Sequence, residues 1–325
     1  MSAVADPFQP FFWLRNPHAQ TVLGVVWKGS AFPHATVRRR VRLHDGDQLV
    51  LHDSTPPAWH DGDPIAVLVH GLGGNHRSGG IVRLARQLLP KGIRVVRLDL
   101  RGTGSGFRLA RGCYNAGCSA DVRAVLAAVH RLAPRSPLWL AGISLGGNVA
   151  LKLAGETAEH PVANLVKVAV IAPPVDLEAC SALLSGPQNR LYEWHFVREL
   201  LTQARRRARL FPDPPLPTFP RRPSLRLFDE LYTAPRAGFR DAAEYYARSS
   251  SNQFIPHIRV PTLMLAARDD PFVAFEPIER LDRPAHVELQ LTDRGGHGGF
   301  LGADGAGGFC WAERVVADWL TGGIR

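Results

Sequence analysis

Three residues far apart in the chain have the side chains that acyl-group chemistry needs. Ser144 lies in Gly142-Ile-Ser-Leu-Gly146, Asp270 in Asp269-Asp-Pro271, and His297 in Gly295-Gly-His-Gly-Gly299. A serine hydroxyl is a weak nucleophile until a neighbouring base takes its proton, and an imidazole serves as that base only when a third group fixes its tautomer. The chemistry these types imply is attack on a carbonyl, with His297 shuttling the proton and Asp270 steadying the imidazolium. Asp269 is the neighbouring alternative for the acid, and Asp176 is a more distant one.

The spacing around Ser144 demands a particular support. Pro137-Leu-Trp-Leu-Ala141 is a short apolar run suited to a buried strand, and Asn148-Val-Ala-Leu-Lys-Leu-Ala154 reads as a helix with Val149, Ala150, Leu153 and Ala154 on one face. A G-x-S-x-G between strand and helix is a sharp turn that lifts the serine oxygen clear of the sheet. Gly142 and Gly146 stand where side chains would collide with the crossing strand and helix. The bland alternative is a serine that merely caps a helix. Against it, Asp270 and His297 each follow a further strand-like run, Pro261–Ala267 and His286–Leu291, so parallel strands would bring all three to one edge.

Other segments complete the frame. Thr36–Leu43 and Gln48–His52 read as an antiparallel pair joined at Asp45-Gly46-Asp47. Ile65–His70 and Ile93–Leu98 are strand-like, as is Leu165–Ile171. Ser78–Leu89 is an amphipathic helix with Ile81, Leu84, Ala85 and Leu88 inward, and Asp121–Leu132 is another, with Ser119 as its expected N-cap. Ala312–Leu320 closes the chain as a helix. Alternation from 65 to 171 argues for α/β architecture, a mostly parallel sheet with helices on both faces. From about Pro174 to Ile258 no strand is evident, while Leu191, Trp194, Val197, Leu201, Ala204 and Ala208 keep helical spacing. A helical cap inserted over the sheet edge is expected there, giving segments 1–173, 174–258 and 259–325.

Two glycine-rich loops have competing readings. His70-Gly-Leu-Gly-Gly74 follows a strand and could cradle phosphate, but no lysine in the chain follows a glycine, so no Walker A motif exists. The same loop in a serine hydrolase supplies a backbone N–H to the oxyanion, here that of Leu72, with Leu145 supplying the other and His70 holding the loop. Gly102-Thr-Gly-Ser-Gly106 lacks the third glycine of a dinucleotide fingerprint and is read as a shape-determining turn. No cofactor and no metal site is indicated.

Composition narrows the class. The 325 residues are 45% hydrophobic and 21% charged, ordinary for a globular chain. No 18-residue apolar run exists, so no integral membrane segment is expected, and Met1–Pro7 lacks a secretion signal. Four scattered cysteines form no C-x-x-C, which fits a reducing, cytoplasmic setting. The net charge of +10 comes from arginines spread along the chain, without a nucleic-acid-binding signature, so nucleic acid is not an expected partner. Solvated arginine faces account for the charge, which also suits anionic substrates or a transient membrane-surface contact. The aromatic run Phe8–Leu14 is expected to pack on the domain. An interfacial contact, or a wall of an acyl pocket, is the alternative.

With these residues in view, the chain resembles the YheT-like branch of the α/β-hydrolase superfamily, which includes α/β-hydrolase-domain esterases and phospholipases. The resemblance rests on Asn16-Pro-His-Ala-Gln-Thr21, His70–Gly74, Arg101-Gly-Thr-Gly104, Gly142–Asn148, Tyr245-Tyr246 with Ser249-Ser250, Ala267–Phe272 and Gly296–Phe300. It implies an α/β-hydrolase fold with an inserted helical cap and a carboxylic-ester hydrolase using Ser144, Asp270 and His297. The expected substrate is a small, lipid-like ester. Two departures stand out: Asp99 replaces the branch's more usual asparagine, and the chain starts almost at the Asn16-Pro-His motif, leaving no room for an N-terminal anchor. Acyl transfer through the same intermediate is the enzymatic alternative, although no His-x-x-x-x-Asp motif occurs. A non-catalytic binding protein on the same fold is the other.

Overall fold

Eight strands pair in the order β1-β2-β4-β3-β5-β6-β7-β8. They are β1 (Val37–Arg42), β2 (Gln48–Ser54), β3 (Ile65–Val69), β4 (Arg94–Asp99), β5 (Leu138–Ile143), β6 (Leu165–Ile171), β7 (Thr262–Ala267) and β8 (Val287–Thr292). In this computed structural model, which describes residues 8–27, 32, 34–212, 214–305 and 307–322, β1 and β2 are antiparallel and β2 is antiparallel to β4. All later pairings are parallel. Met1–Pro7, where no secretion signal is expected, lies outside the described residues.

The helices are α1 (Pro17–Val26), α2 (Gly79–Leu88), α3 (Ser119–Leu132), α4 (Leu145–Glu156), α5 (Leu177–Leu184) and α6 (Arg190–Leu210). They continue with α7 (Leu225–Phe228), α8 (Ala234–Arg236), α9 (Ala242–Ser249), α10 (Phe275–Glu279) and α11 (Trp311–Thr321), with a π-turn at Asp229–Thr233 between α7 and α8.

Because strand side chains alternate, each central strand feeds two cores. Val67, Val69, Leu138, Leu140, Val168 and Val170 pack with Val125, Leu126, Val149 and Leu153 of α3 and α4. On the other face Ala66, Leu68, Trp139, Ala141 and Ile171 meet Ile81, Leu84 and Leu88 of α2 and Val316 and Leu320 of α11. Burial on both faces explains why these strands read as continuous apolar runs.

Four readings of the sequence need qualification. Ser119 does not cap α3: the helix begins at Ser119 itself, Cys118 stands at the cap position, and no side chain bonds there. In α6 the helical spacing holds, but of the six apolar residues in that stripe only Val197, Leu201 and Ala204 are buried, whereas Leu191 and Trp194 are exposed. The run at 8–14 divides similarly. Phe8 packs on Phe300 and Trp311 and Leu14 is buried, while Phe12 and Trp13 face solvent. Nor is every arginine on a solvated face, since Arg83, Arg94, Arg97 and Arg207 are buried.

Candidate active site

The parallel strands end along one edge, and the loops after β5, β7 and β8 carry Ser144, Asp270 and His297. Their side chains meet there: His297 Nε2 lies 2.8 Å from Ser144 Oγ, and His297 Nδ1 lies 2.8 Å from Asp270 Oδ2. That is hydrogen-bond reach at both ring nitrogens.

Each of the three is held by its local backbone. Ser144 has φ 55° and ψ −127°, a costly conformation for a residue with a side chain. It persists because β5 and α4 cross at contact distance: a Cβ on Gly142 would sit 2.2 Å from the Gly146 carbonyl oxygen, and one on Gly146 would sit 2.3 Å from that of Val69. Ser144 stands at the N-cap position of α4, yet its side chain caps nothing, which disposes of the bland reading. Asp270 Oδ1 accepts the N–H groups of Phe272 (2.8 Å) and Val273 (3.0 Å), leaving Oδ2 for the imidazole. The glycines beside His297 are needed: Gly295, Gly296 and Gly298 all have positive φ.

The alternative acids have other tasks. Asp269 Oδ1 accepts the Gly296 N–H at 2.8 Å and so steadies the histidine loop, and burial raises its carboxyl above the ordinary value. Asp176 caps α5 by accepting the Ala179 N–H.

Leu72 and Leu145 both line the cavity that holds Ser144. Leu145 opens α4, where the first N–H groups have no partner within the helix and carry its positive dipole end. Gly71 is so close to Ser144 that a Cβ on it would lie 2.9 Å from the serine Cβ and 3.3 Å from Oγ. The loop is tied on several sides. The Gly73 N–H donates to Tyr114 Oη (2.6 Å). His70, its pKa lowered by complete burial to about 4, is neutral; Nδ1 donates to the Gly71 carbonyl and Nε2 accepts the Leu100 N–H. Farther along, Asp99 Oδ1 accepts the backbone N–H and Nδ1–H of His76, both at 2.8 Å, and Oδ2 accepts from His52 Nε2 (3.0 Å) and the Ser105 N–H (2.8 Å).

His52, His76 and Asp99 are the metal-ligating types that come together among the described residues, their ligand atoms within 4.8 Å. The two imidazoles stack with centroids 3.4 Å apart and planes 10° from parallel. Ring lone pairs in separate parallel planes do not converge on one ion, so the cluster suits a shared carboxylate rather than a metal.

Sequence reasoning missed the residues that brace the histidine loop from the N-terminal segment. Thr21 Oγ1 accepts the His297 N–H at 2.9 Å while donating to the Pro17 carbonyl. Gln20 donates to the carbonyls of Leu14 and Leu301 and accepts the Leu301 N–H. The only signal was their place in the Asn16–Thr21 motif, which carries no local reason for such a role. Asn148, at the end of the serine motif, has a structural task that its type alone does not disclose: its amide donates to the carbonyls of Ala116 and Ser249 and accepts the Ser251 N–H, tying α4 to α9.

The cavity has a volume of about 630 Å³. Gly71, Ser144 and His297 form one wall, and Phe196, Leu200, Phe228 and Tyr232, from the helical stretch between β6 and β7, form another. That size and apolar character are those of a small-molecule site.

The profile of the alpha/beta hydrolase fold matches residues 64–304. The chain belongs to the α/β-hydrolase family. It is 32% identical over 326 residues to YheT of Escherichia coli (strain K12), a candidate esterase, covering 97% of this chain and 93% of that one. It is 28% identical over 307 residues to the phospholipase ABHD3 of Mus musculus, covering 92% and 74% of the two chains. The crystal structure of 2,6-dihydroxy-pseudo-oxynicotine hydrolase superposes with a TM-score of 0.60 at 18% identity, covering 88% of this chain and 67% of that one, a likeness of fold alone. Family and fold thus agree with the resemblance drawn from the motifs.

Proposed function

We propose that this α/β hydrolase is a serine esterase that cleaves carboxylic esters with an apolar acyl chain. Ser144 Oγ attacks the ester carbonyl as His297 Nε2 takes its proton. The N–H groups of Leu72 and Leu145 receive the oxyanion, a contribution of roughly 3–4 kcal/mol for each donor in comparable sites. The tetrahedral species collapses as His297 returns the proton to the departing alkoxide, leaving an acyl-serine. Water, deprotonated by the same histidine, then releases the acid and restores the serine. Asp270 keeps Nδ1–H oriented and balances the imidazolium throughout. The stretch 174–258 acts as the cap that walls the acyl chain from water, between core segments 1–173 and 259–325.

The observation that carries this reading is the Ser144–His297–Asp270 chain, 2.8 Å at each link, opening on a cavity with apolar walls. Relatives named for esterase and phospholipase activity support an ester or lipid substrate. Reaction with a fluorophosphonate probe tests it. Wild type is expected to be labelled and Ser144→Ala to remain unlabelled; an unlabelled, folded wild type refutes the reading.

A further inference from the structure

Ten of the thirteen large hydrophobic side chains exposed among the described residues lie on three neighbouring segments: 12–27, 191–194 and residue 309. Large apolar patches of this kind on a monomer mark interaction sites. Phe12 (82% exposed) and Trp13 (60%) precede α1, which presents Val22, Val25 (63%) and Val26 (67%) to water. On α6, Leu191 is 81% exposed and Trp194 51%. The segments are joined: His18 Nδ1 and Tyr192 Oη are 3.1 Å apart, and the Phe309 ring contacts both Phe11 and Trp27.

This surface borders the cavity. Gly24 and Val25 of α1 and His195 and Phe196 of α6 belong both to these helices and to the lining around Ser144. Tyr192 lies edge-on to Phe272, which in turn contacts the His297 ring. The exposed charge here is positive, while Glu199 is half-buried in the cavity lining. Residues 8–27 contain no aspartate or glutamate. Arg15, Arg190 and Arg198 are exposed, and none pairs with a carboxylate among the described residues. Arg198 lies over the Trp194 ring, 5.0 Å from its centroid. Glu193, the acid between Arg190 and Arg198, is turned to Ser185 Oγ and the Leu225 N–H.

We infer that the face formed by α1, the start of α6 and Phe309 docks on an anionic lipid surface and sets the mouth of the cavity against it. Aromatic and aliphatic side chains suit the headgroup boundary, and the flanking arginines suit negatively charged lipid. The charge complementarity selects an anionic bilayer over a neutral one, and continuity with the cavity gives the docking a purpose, since an apolar ester could pass from bilayer to site without crossing water.

The test is sedimentation of the full chain with vesicles of phosphatidylcholine containing roughly a third phosphatidylglycerol, against phosphatidylcholine alone. Binding to the anionic vesicles is expected to be at least about tenfold stronger, to weaken with salt, and to shift tryptophan emission to the blue as Trp13 and Trp194 leave water. Replacing Arg15, Arg190 and Arg198 together by glutamine lowers affinity for the anionic vesicles about a hundredfold, some fivefold for each charge. Val26→Asp with Trp194→Asp removes binding while the melting temperature is kept, whereas Leu132→Asp, at an exposed apolar side chain elsewhere, has no effect. Equal partition to both vesicles, no partition, or equal loss in Leu132→Asp overturns the inference. So does a dimer in lipid-free buffer that Val26→Asp disperses, because the occupant is then a second copy. Ser144→Ala is expected to bind as wild type does, so the docking surface and the esterase reading fail separately.

Discussion

Asp99→Asn tests how the sheet's interior governs the loop beside Ser144. The carboxylate is fully buried and takes four hydrogen bonds, two on each oxygen, from His76, His52 and Ser105. Asparagine offers one acceptor oxygen, and its amide nitrogen would confront the two donors on the other side. Two buried bonds left unmade, at about 1–3 kcal/mol each, give an expected loss of about 2–6 kcal/mol, a large share of a typical total stability. Burial alone would raise the Asp99 carboxyl, but the bonds from His52 and His76 outweigh it and hold the carboxyl well below the usual carboxylate range. The stabilisation is therefore fully present above the unfolded value near pH 4 and is lost as pH falls through the depressed folded value. The gap in melting temperature between wild type and variant should be wide at pH 7 and close only in strong acid. His76 ends the loop that carries Leu72, so its release should move one oxyanion donor. The expected result is a fall in kcat of roughly 100-fold with KM little altered on a short-chain nitrophenyl ester. A variant that melts with wild type refutes the bonding argument. One that is destabilised yet keeps full kcat refutes the link to the oxyanion loop.

Asp270→Asn should lower kcat about 10⁴-fold by permitting the wrong imidazole tautomer, whereas Asp269→Asn, which bonds the backbone of the histidine loop and not the imidazole, should cost about tenfold or less; steady-state kinetics of the two variants identifies the acid. Gly142→Ala should fail to yield folded protein, since its Cβ would meet backbone at 2.2 Å, while Gly298→Ala, with nothing nearer than 3.9 Å, should lose only about 1 kcal/mol for its positive φ, as urea unfolding would show. Asp229, raised by burial to about 6, is stabilising as a neutral acid and opposes folding once ionised, so stability falls as pH rises from about 4 to 6. Asp229→Asn should therefore raise stability at pH 8 by about 2–3 kcal/mol and leave it unchanged at pH 4, read by melting at both values. Thr21→Val removes the acceptor for the His297 N–H and should lower kcat about tenfold, with a stability loss of about 1 kcal/mol.

The serine turn was readable because its cause is local: strand and helix cross at Gly142 and Gly146, and only glycine tolerates that distance. Asp270 and His297 were readable because parallel strands place successive loops at one edge. Position along the chain thus stood in for position in space. The brace from Thr21 had no such proxy, since a hydroxyl in the second turn of a helix looks the same whether it meets solvent or the histidine loop 276 residues away. Spacing in α6 identified the helix but not how far along it the protein covers the stripe. Leu191 and Trp194 lie on the part left bare. Ser119 misled because its type suits a cap, while the chain began the helix one residue sooner. The choice of aspartate at 99 became intelligible only when two stacked imidazoles were seen sharing it, for two ring donors and two backbone N–H groups call for both carboxylate oxygens.

The brace on the histidine loop also bears on how the protein is made. Ser144 and Asp270 both precede His297 in the chain, yet the imidazole between them is seated by the helix Pro17–Val26 and by Gln20 gripping Leu301. A growing or broken chain lacking either of these segments holds the Ser144 hydroxyl without a seated imidazole beside it. The proposed esterase activity then arrives only when these two distant segments have found each other.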